Sequence, residues 1–401
     1  LPLTDEESAL RGIAEGRNVI VIQMESMQNF VIGLTVEGKE ITPNLNRLLE
    51  NGLYFPRIYQ QVGQGNTSDS EFMLNTSLYV PPDGAASQIY ANKQLPSLPK
   101  ILKPLGYESM TFHTNDIKFW NRDRLYPALG IDRMFDDDFF GEEQLVAFGA
   151  SDDVLYEKTL PVLQENADQG KLFYANVISM SAHHPYHLPE TMAELDLPEH
   201  YRESLVGRYL ISQHYADAAV GRFIEALKQT GLWENSVIMI YGDHLGLPMY
   251  SMEDEDFRLM ESLIGREYSY ADMLNIPLLI AVPGALEEGS RIPHVGGHVD
   301  FMPTLANLLG ISLEDRVYFG QDLVNQPHNL LPERYYLPTG SFINDEVIFI
   351  PEEQFSDGKA YPLTGGAPMK PRPEWADDFR RAMQLLRMSE AYVESLPDLD
   401  N

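Results

Sequence analysis

Three polar clusters, far apart along the chain, hold the residue types that metal-assisted chemistry needs. They are Glu25-Ser26, the loop Gly63-Gln-Gly-Asn-Thr-Ser-Asp-Ser-Glu71, and Gly242-Asp243-His244. Asp243 and His244 directly follow an apolar run, so a carboxylate and an imidazole can turn toward one cation. The plainer reading is a Gly-Asp turn with His244 capping a helix. Glu25 ends another apolar run, where a lone Glu more often caps a helix or joins an ion pair. Together the three supply two hard oxygens and one nitrogen, a set suited to magnesium, manganese or zinc. In the glycine loop, Gly63 and Gly65 permit close backbone approach, and Thr67 opens a Thr-x-x-x-Glu helix start. Capping by Thr67 or Ser68 is the structural reading. The chemical reading sets the Thr67 hydroxyl at a helix N-terminus, where free N–H groups favour an anion. A cation held by Glu25, Asp243 and His244 would then make that weak nucleophile reactive.

Two further segments carry groups that can grip a phosphate ester. Phe112-His-Thr-Asn-Asp-Ile-Lys-Phe-Trp-Asn-Arg122 gathers His113, Trp120 and Arg122 after a strand-like stretch. Arg offers planar, bidentate recognition of phosphate, whereas Trp120 serves equally well as a core residue. Ser181-Ala-His-His-Pro-Tyr-His187 places His183 and His184 past another strand end, where one of the pair can donate to a phosphate or protonate a leaving alkoxide. His298, in Gly296-Gly-His-Val-Asp300, offers a fifth ligand or simply precedes a helix cap, and the structural reading carries more weight.

Residues so distant meet only if the fold carries them to one edge. Asn18-Val-Ile-Val-Ile-Gln-Met-Glu25, Leu172-Phe-Tyr-Ala-Asn-Val-Ile-Ser179, Ser236-Val-Ile-Met-Ile-Tyr241 and Ile276-Pro-Leu-Leu-Ile-Ala-Val282 are apolar runs that predict buried parallel strands. Between them the pattern predicts helices over 42–51 (capped by Thr42), 97–105 (capped by Ser97), 152–166 and, as one long element, 201–230. Strands alternating with helices predict an α/β fold with a doubly wound, mostly parallel sheet. Ligands of such sheets bind beyond the carboxyl ends of the strands, where all three clusters sit. A further helix is expected over 301–310. After Gly320-Gln-Asp-Leu323 the character changes, with Pro- and Gly-rich segments around a short strand, 346–350, and a final helix, 373–396. The expected division is a catalytic domain, 1–325, and a small C-terminal α+β subdomain, 326–401.

Composition narrows the partners. Sixty acidic residues against 29 basic give the 401-residue chain a formal charge of −31, which repels nucleic acid and anionic membrane surfaces. Attraction for a phosphate ester must therefore come from a local cation. With no cysteine, thiolate zinc sites, disulfides and cysteine nucleophiles are excluded. No stretch of about 18 apolar residues appears. Residues 1–7 carry neither a basic n-region nor a Met, and read as a processed or truncated start whose anchor or export signal would lie upstream.

Taken in order, these segments resemble the extracellular catalytic domain of lipoteichoic acid synthases, within the alkaline phosphatase and sulfatase superfamily. The matching stretches are Val21-Ile-Gln-Met-Glu-Ser26, Gly63-Gln-Gly-Asn-Thr-Ser-Asp-Ser-Glu-Phe72, Lys118-Phe-Trp-Asn-Arg-Asp123 and Asn235-Ser-Val-Ile-Met-Ile-Tyr-Gly-Asp-His244, continued by Val299-Asp-Phe-Met-Pro-Thr304 and Phe319-Gly-Gln-Asp-Leu323. The resemblance implies one manganese, or magnesium, on Glu25, Thr67, Asp243 and His244. It implies that Thr67 takes glycerol phosphate from phosphatidylglycerol as a covalent intermediate and passes it to a poly(glycerol phosphate) chain. It also implies that His113, Trp120, Arg122 and His183 contact the glycerol phosphate, and that upstream transmembrane helices hold the domain at the extracellular face of a bacterial membrane unless cleavage releases it. The family pattern has an acidic residue where this chain carries Asn115, which keeps a hydrogen-bonding oxygen and loses the charge. A sulfatase activity is disfavoured, because Thr67-Ser-Asp-Ser-Glu71 lacks the Cys/Ser-x-Pro-x-Arg setting of that nucleophile. A phosphatase or phosphodiesterase, in which water resolves the Thr67 intermediate, is the alternative on the same scaffold, and a non-catalytic teichoic acid binder is a third reading.

Overall fold

Chains of Val and Ile with no charge fold stably only when covered on both faces, and the main sheet is built from such runs. The structure, a computed structural model, describes residues 8–286 and 288–399; residues 1–7, on which the reading of the chain's start rests, lie outside them. In chain order the sheet contains β1 (Asn18–Met24), β2 (Gly52–Tyr59), β3 (Tyr107–His113), β4 (Arg133–Phe135), β5 (Leu172–Ile178), β6 (Ser236–Gly242) and β7 (Asn275–Ala281). Their spatial order is β2-β7-β6-β1-β5-β3-β4, and two short strands, Ser290–Arg291 and Gly296–Gly297, also pair with β2. β1 lies between β6 and β5 and runs parallel to both, and β3 and β4 continue the parallel run.

β7 departs from expectation. It is apolar like its neighbours but antiparallel to both β6 and β2. An uncharged run reports burial on two faces and says nothing of direction. The connection from β6, with short helices Asp254–Ile264 and Tyr270–Met273, re-enters the sheet at the end it left.

The principal helices are α1 (Pro43–Leu48), α2 (Thr67–Thr76), α3 (Arg122–Leu129), α4 (Asp152–Asp168), α5 (Leu205–Gln229), α6 (Phe301–Leu308) and α7 (Ala376–Ser395). Alternation along β1 splits the core in two. Ile20, Ile22 and Met24 join Leu163 of α4 and Val220 and Phe223 of α5, while Val19 and Val21 join Phe72 of α2 and Phe301 of α6. Both faces are covered, as the doubly wound reading requires.

Two helix boundaries differ from the sequence expectation. The single helix expected over 201–230 is broken into Glu199–Arg202 and α5, because the Ser204 hydroxyl accepts the Gly207 N–H and starts a new helix. The two pieces touch so closely that a Cβ on Gly207 would lie 1.7 Å from the Tyr201 carbonyl oxygen. Thr42 does not cap α1. Its hydroxyl donates to the Val31 carbonyl, and the cap comes from α5, where the Asp217 carboxylate accepts the Asn44 and Leu45 N–H groups at 3.0 and 2.8 Å.

Beyond residue 330 the chain forms an antiparallel meander, β8 (Leu331–Glu333), β9 (Ser341–Ile343), β10 (Val347–Ile350) and β11 (Lys359–Pro362). Phe342, Phe349, Trp375 and Ala382 form its own small core under α7. The far end of α7 returns to the main body, where Leu386 and Val393 pack into the α2 side of the core and the Ser389 hydroxyl accepts the Tyr79 N–H. Among the described residues no helix is long and apolar enough to cross a membrane. Asp217→Ala, which removes the cap that α5 supplies to α1, should cost about 1–2 kcal/mol of stability, read as a lowered denaturant midpoint with an unchanged slope.

Candidate metal and nucleophile site

The register of β1 against β6 pairs Met24 with Gly242, so the next residues, Glu25 and Asp243, leave adjacent parallel strands side by side. Short-range bonds fix both turns. The Asp243 N–H donates to the Met24 carbonyl, the Ser26 N–H to Asp243 Oδ1 at 2.8 Å, and the Glu25 N–H to the Ser179 hydroxyl at 2.8 Å. Gly242 is required here, since a Cβ would sit 1.9 Å from the Met27 carbonyl oxygen.

The N-terminus of α2 is aimed at the same point. Gln23 on β1 donates to the Thr67 carbonyl and accepts from the Tyr241 hydroxyl, which in turn accepts from Ser70. The glycine loop is tied down by Asp69, whose carboxylate accepts the N–H groups of Gly63, Gly65 and Ala86. A Cβ on Gly65 would lie 2.4 Å from Asp69 Oδ1, which explains the glycine. Neither Thr67 nor Ser68 caps the helix. Ser68 donates to the Gly65 carbonyl, which leaves Thr67 Oγ1 facing Glu25 Oε2 at 3.4 Å.

His244 Nε2 lies 3.4 Å from Glu25 Oε1 and 3.6 Å from Asp243 Oδ2. The ligand atoms of these three buried residues all fall within 4.8 Å of one another. His244 Nδ1 faces the Leu245 carbonyl at 2.9 Å. A carbonyl only accepts, so Nδ1 carries a hydrogen and Nε2 is the ring nitrogen that faces the cluster. Asp243 Oδ2 is buried and has no hydrogen-bond partner. Burial pushes Asp243 up to about 7. Burial would lower the His244 imidazole, but the Asp243 and Glu25 carboxylates outweigh it and raise it to about 10. Burial would likewise raise Glu25, and His244 instead draws it down to about 2. Two carboxylate oxygens, one imidazole nitrogen and an adjacent hydroxyl, one oxygen unsatisfied, fit a hard divalent cation.

The other candidate residues surround this point unequally. His113 ends β3 and is buried; its Nδ1 faces the Ile178 carbonyl at 3.0 Å, and burial, with the Arg122 charge, pushes it down to about 3. It is therefore neutral, with Nε2 as an acceptor. Of the adjacent pair, His183 is half-buried and near enough to Glu25 to act on it electrostatically, whereas His184 is exposed and packs edge-on against Tyr186. Arg122 is buried, and its Nε and Nη2 are held by the Glu71 carboxylate at 3.0 and 2.7 Å. Tyr126 donates to the other Glu71 oxygen at 2.6 Å. Nη1 remains, with one long bond of 3.5 Å to the Phe119 carbonyl. Trp120 is half-buried, lies outside the core clusters and sits edge-on to Phe119. Both Trp120 and Asn121 have left-handed backbones, φ 59° and 54°, a strained pair that the Asn121 amide pins to the Ser87 carbonyl. Asn115 Oδ1 accepts the Asp116 N–H. His298 is fully buried against Tyr241 and Phe301, and its Nδ1 accepts the Gln61 N–H, so it serves as packing.

Three supporting residues escape a reading of the sequence alone: Gln23, Asp69 and Glu71. Only Glu71 carries a usable signal, since its i, i+4 spacing from Thr67 stacks both on one face of α2. Because Glu71 and Arg122 are both buried, Glu71→Ala should cost about 3–5 kcal/mol by leaving the guanidinium unpaired. The double variant with Arg122→Ala should recover part of that loss in chemical denaturation, since no orphaned charge remains.

Comparison with known proteins places this geometry in a family. The sulfatase family signature matches residues 17–311. Lipoteichoic acid synthase 2 of Bacillus subtilis (strain 168) is 35% identical over 343 residues, 83% of this chain and 50% of that protein. Lipoteichoic acid synthase of Staphylococcus aureus (strain USA300) is 34% identical over 368 residues, 89% of this chain and 54% of its own length. The chain thus spans about half the length of these relatives. The crystal structure of the lipoteichoic acid synthase LtaP from Listeria monocytogenes superposes with a TM-score of 0.92 at 36% identity, covering 98% of this chain and 96% of that one. The chain belongs to the sulfatase family, in the branch that holds the lipoteichoic acid synthases.

Proposed function

We propose that the chain transfers glycerol phosphate from phosphatidylglycerol to a growing poly(glycerol phosphate) chain, with Thr67 as nucleophile beside one divalent cation, manganese or magnesium. The observation that carries this reading is the meeting of Thr67 Oγ1, Glu25, the unsatisfied Asp243 Oδ2 and His244 Nε2 in one buried cluster. Glu25, Thr67, Asp243 and His244 would hold the cation, which supplies Lewis acidity to the phosphoryl oxygen and lowers the pKa of the Thr67 hydroxyl.

The remaining steps fall to the chain's own residues. Arg122 keeps two of its nitrogens on Glu71 and offers Nη1 to a phosphate oxygen. His113, neutral and hydrogen-bonded through Nδ1, accepts a glycerol hydroxyl at Nε2, and Trp120 covers the headgroup from the rim. Thr67 gives its hydroxyl proton to water before attack and is later released as the same alkoxide. As the bond from Thr67 Oγ1 to phosphorus forms, the bond from phosphorus to the diacylglycerol oxygen breaks, and His183 gives that oxygen a proton. The same imidazole then takes the proton from the terminal hydroxyl of the acceptor, which attacks phosphorus and frees Thr67. In this reading residues 1–325 carry the chemistry and residues 326–401 brace it through Tyr336, whose hydroxyl donates to Asn66 beside the nucleophile. The reaction takes place at the extracellular face of a bacterial membrane, where an upstream anchor or its cleavage sets how the domain is held.

With manganese and fluorescent phosphatidylglycerol, the protein should release diacylglycerol, and Thr67→Ala should abolish release with an unchanged circular dichroism spectrum. Turnover of soluble phosphoesters with phosphatidylglycerol untouched would instead assign water as the acceptor. Asp243→Ala or Glu25→Ala should weaken manganese binding at least about tenfold in calorimetry, because each removes one anionic ligand. Unchanged affinity would strike that residue from the ligand set.

A further inference from the structure

Six large aromatic side chains are exposed among the described residues, namely Phe119, Phe139, Phe148, Tyr250, Tyr318 and Tyr335, and four of them stand on segments that carry or contact candidate-site residues. Phe119, Phe148, Tyr250 and Tyr335 are between 51% and 76% exposed, on four separate segments, each anchored on a site element. Phe119 packs edge-on against Trp120, with centroids 5.6 Å apart. Phe148 stands on a tight hairpin, Leu145–Val146 with Gly149–Ala150, and meets His183 at 4.9 Å. Tyr250 follows His244 by six residues and lies beside Tyr335. Tyr335 meets Tyr336 at 5.0 Å, and the Tyr336 hydroxyl reaches Asn66 at the start of α2. Leu145, on the hairpin, is 57% exposed as well.

The backbone works to keep these rings outside. Tyr335 itself has φ 74°, Phe148 follows Ala147 at φ 58°, and Phe119 precedes Trp120 at φ 59°. Left-handed backbone at a bulky or β-carbon-bearing residue is unfavourable, and so is a large ring in water. Three site-bearing loops accepting both point to an occupant that covers the rings.

We propose that this aromatic rim seats the site on a phospholipid bilayer by inserting Phe119, Phe148, Tyr250 and Tyr335 among the headgroups. The inference rests on the lipid-substrate reading above and adds the face through which the lipid enters. A protein seated on these rings would lie over the segments that carry Trp120 and His183. The phase that holds the substrate covers the rings and delivers the headgroup at once. A chain of net charge −31 has no general electrostatic attraction for an anionic leaflet. Aromatic rings favour the membrane interface whatever the lipid charge, so the rim supplies the attraction that the surface as a whole lacks.

The test compares the chain with a triple variant, Phe148→Ser, Tyr250→Ser and Tyr335→Asn, none of which is a metal ligand or the nucleophile. Sedimentation with millimolar neutral phosphatidylcholine vesicles should pull down the parent chain equally at low and high salt, and the variant at least about tenfold less, the equivalent of partly withdrawing three rings from an apolar phase. Turnover of vesicle-borne phosphatidylglycerol should fall by a similar factor, while turnover of a monomeric short-chain phosphatidylglycerol stays within about twofold. Equal vesicle binding by parent and variant, binding that salt abolishes, or equal loss on the vesicle and monomeric substrates would overturn the proposal. A parent chain that binds vesicles through these rings but turns over neither lipid would leave the rim in place and remove the substrate reading instead.

Discussion

The parallel pairing of β1 with β6 is the constraint on which the site depends. Its register sets Met24 beside Gly242, and the chain then has no choice but to bring Glu25 and Asp243 out together. Two carboxylates and an imidazole whose ligand atoms lie within 4.8 Å of one another, all buried, are costly unless positive charge is shared among them. The opposed shifts of Asp243, His244 and Glu25 express that competition. The sheet maintains the arrangement because both rows of β1 are packed, Ile20, Ile22 and Met24 into one core and Val19 and Val21 into the other, so a register shift would have to repack both.

Thr67 is positioned by a second set of contacts. Gln23 ties the first residue of α2 to β1, and Asp69 gathers the loop that precedes it. One turn further along, Glu71 takes hold of Arg122 and Tyr126. The helix that presents Thr67 therefore also sets where Arg122 stands. A movement of α2 would displace both side chains together, which preserves their spacing. The buried ion pair is tolerable because every polar atom of the Glu71 carboxylate has a partner.

Much of this was legible in the residues. Uncharged runs revealed the strands, and polar residues immediately past them revealed the edge at which Glu25, Asp243 and His244 assemble. What stayed hidden is relational. The direction of β7 is invisible because an apolar run looks the same in either sense. The break before α5 turns on one serine hydroxyl competing with a helical pattern that otherwise continues through it. The cap on α1 comes from Asp217, more than 170 positions away, and no local rule reveals a partner at that distance. Arg122 read as a free phosphate ligand because its type suits that role; the clamp from Glu71 became visible only with both side chains in one frame.

The central claim is that these four side chains converge on one ion, and crystallography on manganese-soaked protein tests it most directly. The account predicts a single anomalous peak bonded to Glu25, Thr67, Asp243 and His244 at roughly 2.0–2.3 Å, the range of metal–nitrogen and metal–oxygen bonds at such sites. A peak at any other position, or full-occupancy manganese that leaves Asp243 or Thr67 outside its coordination shell, would contradict it.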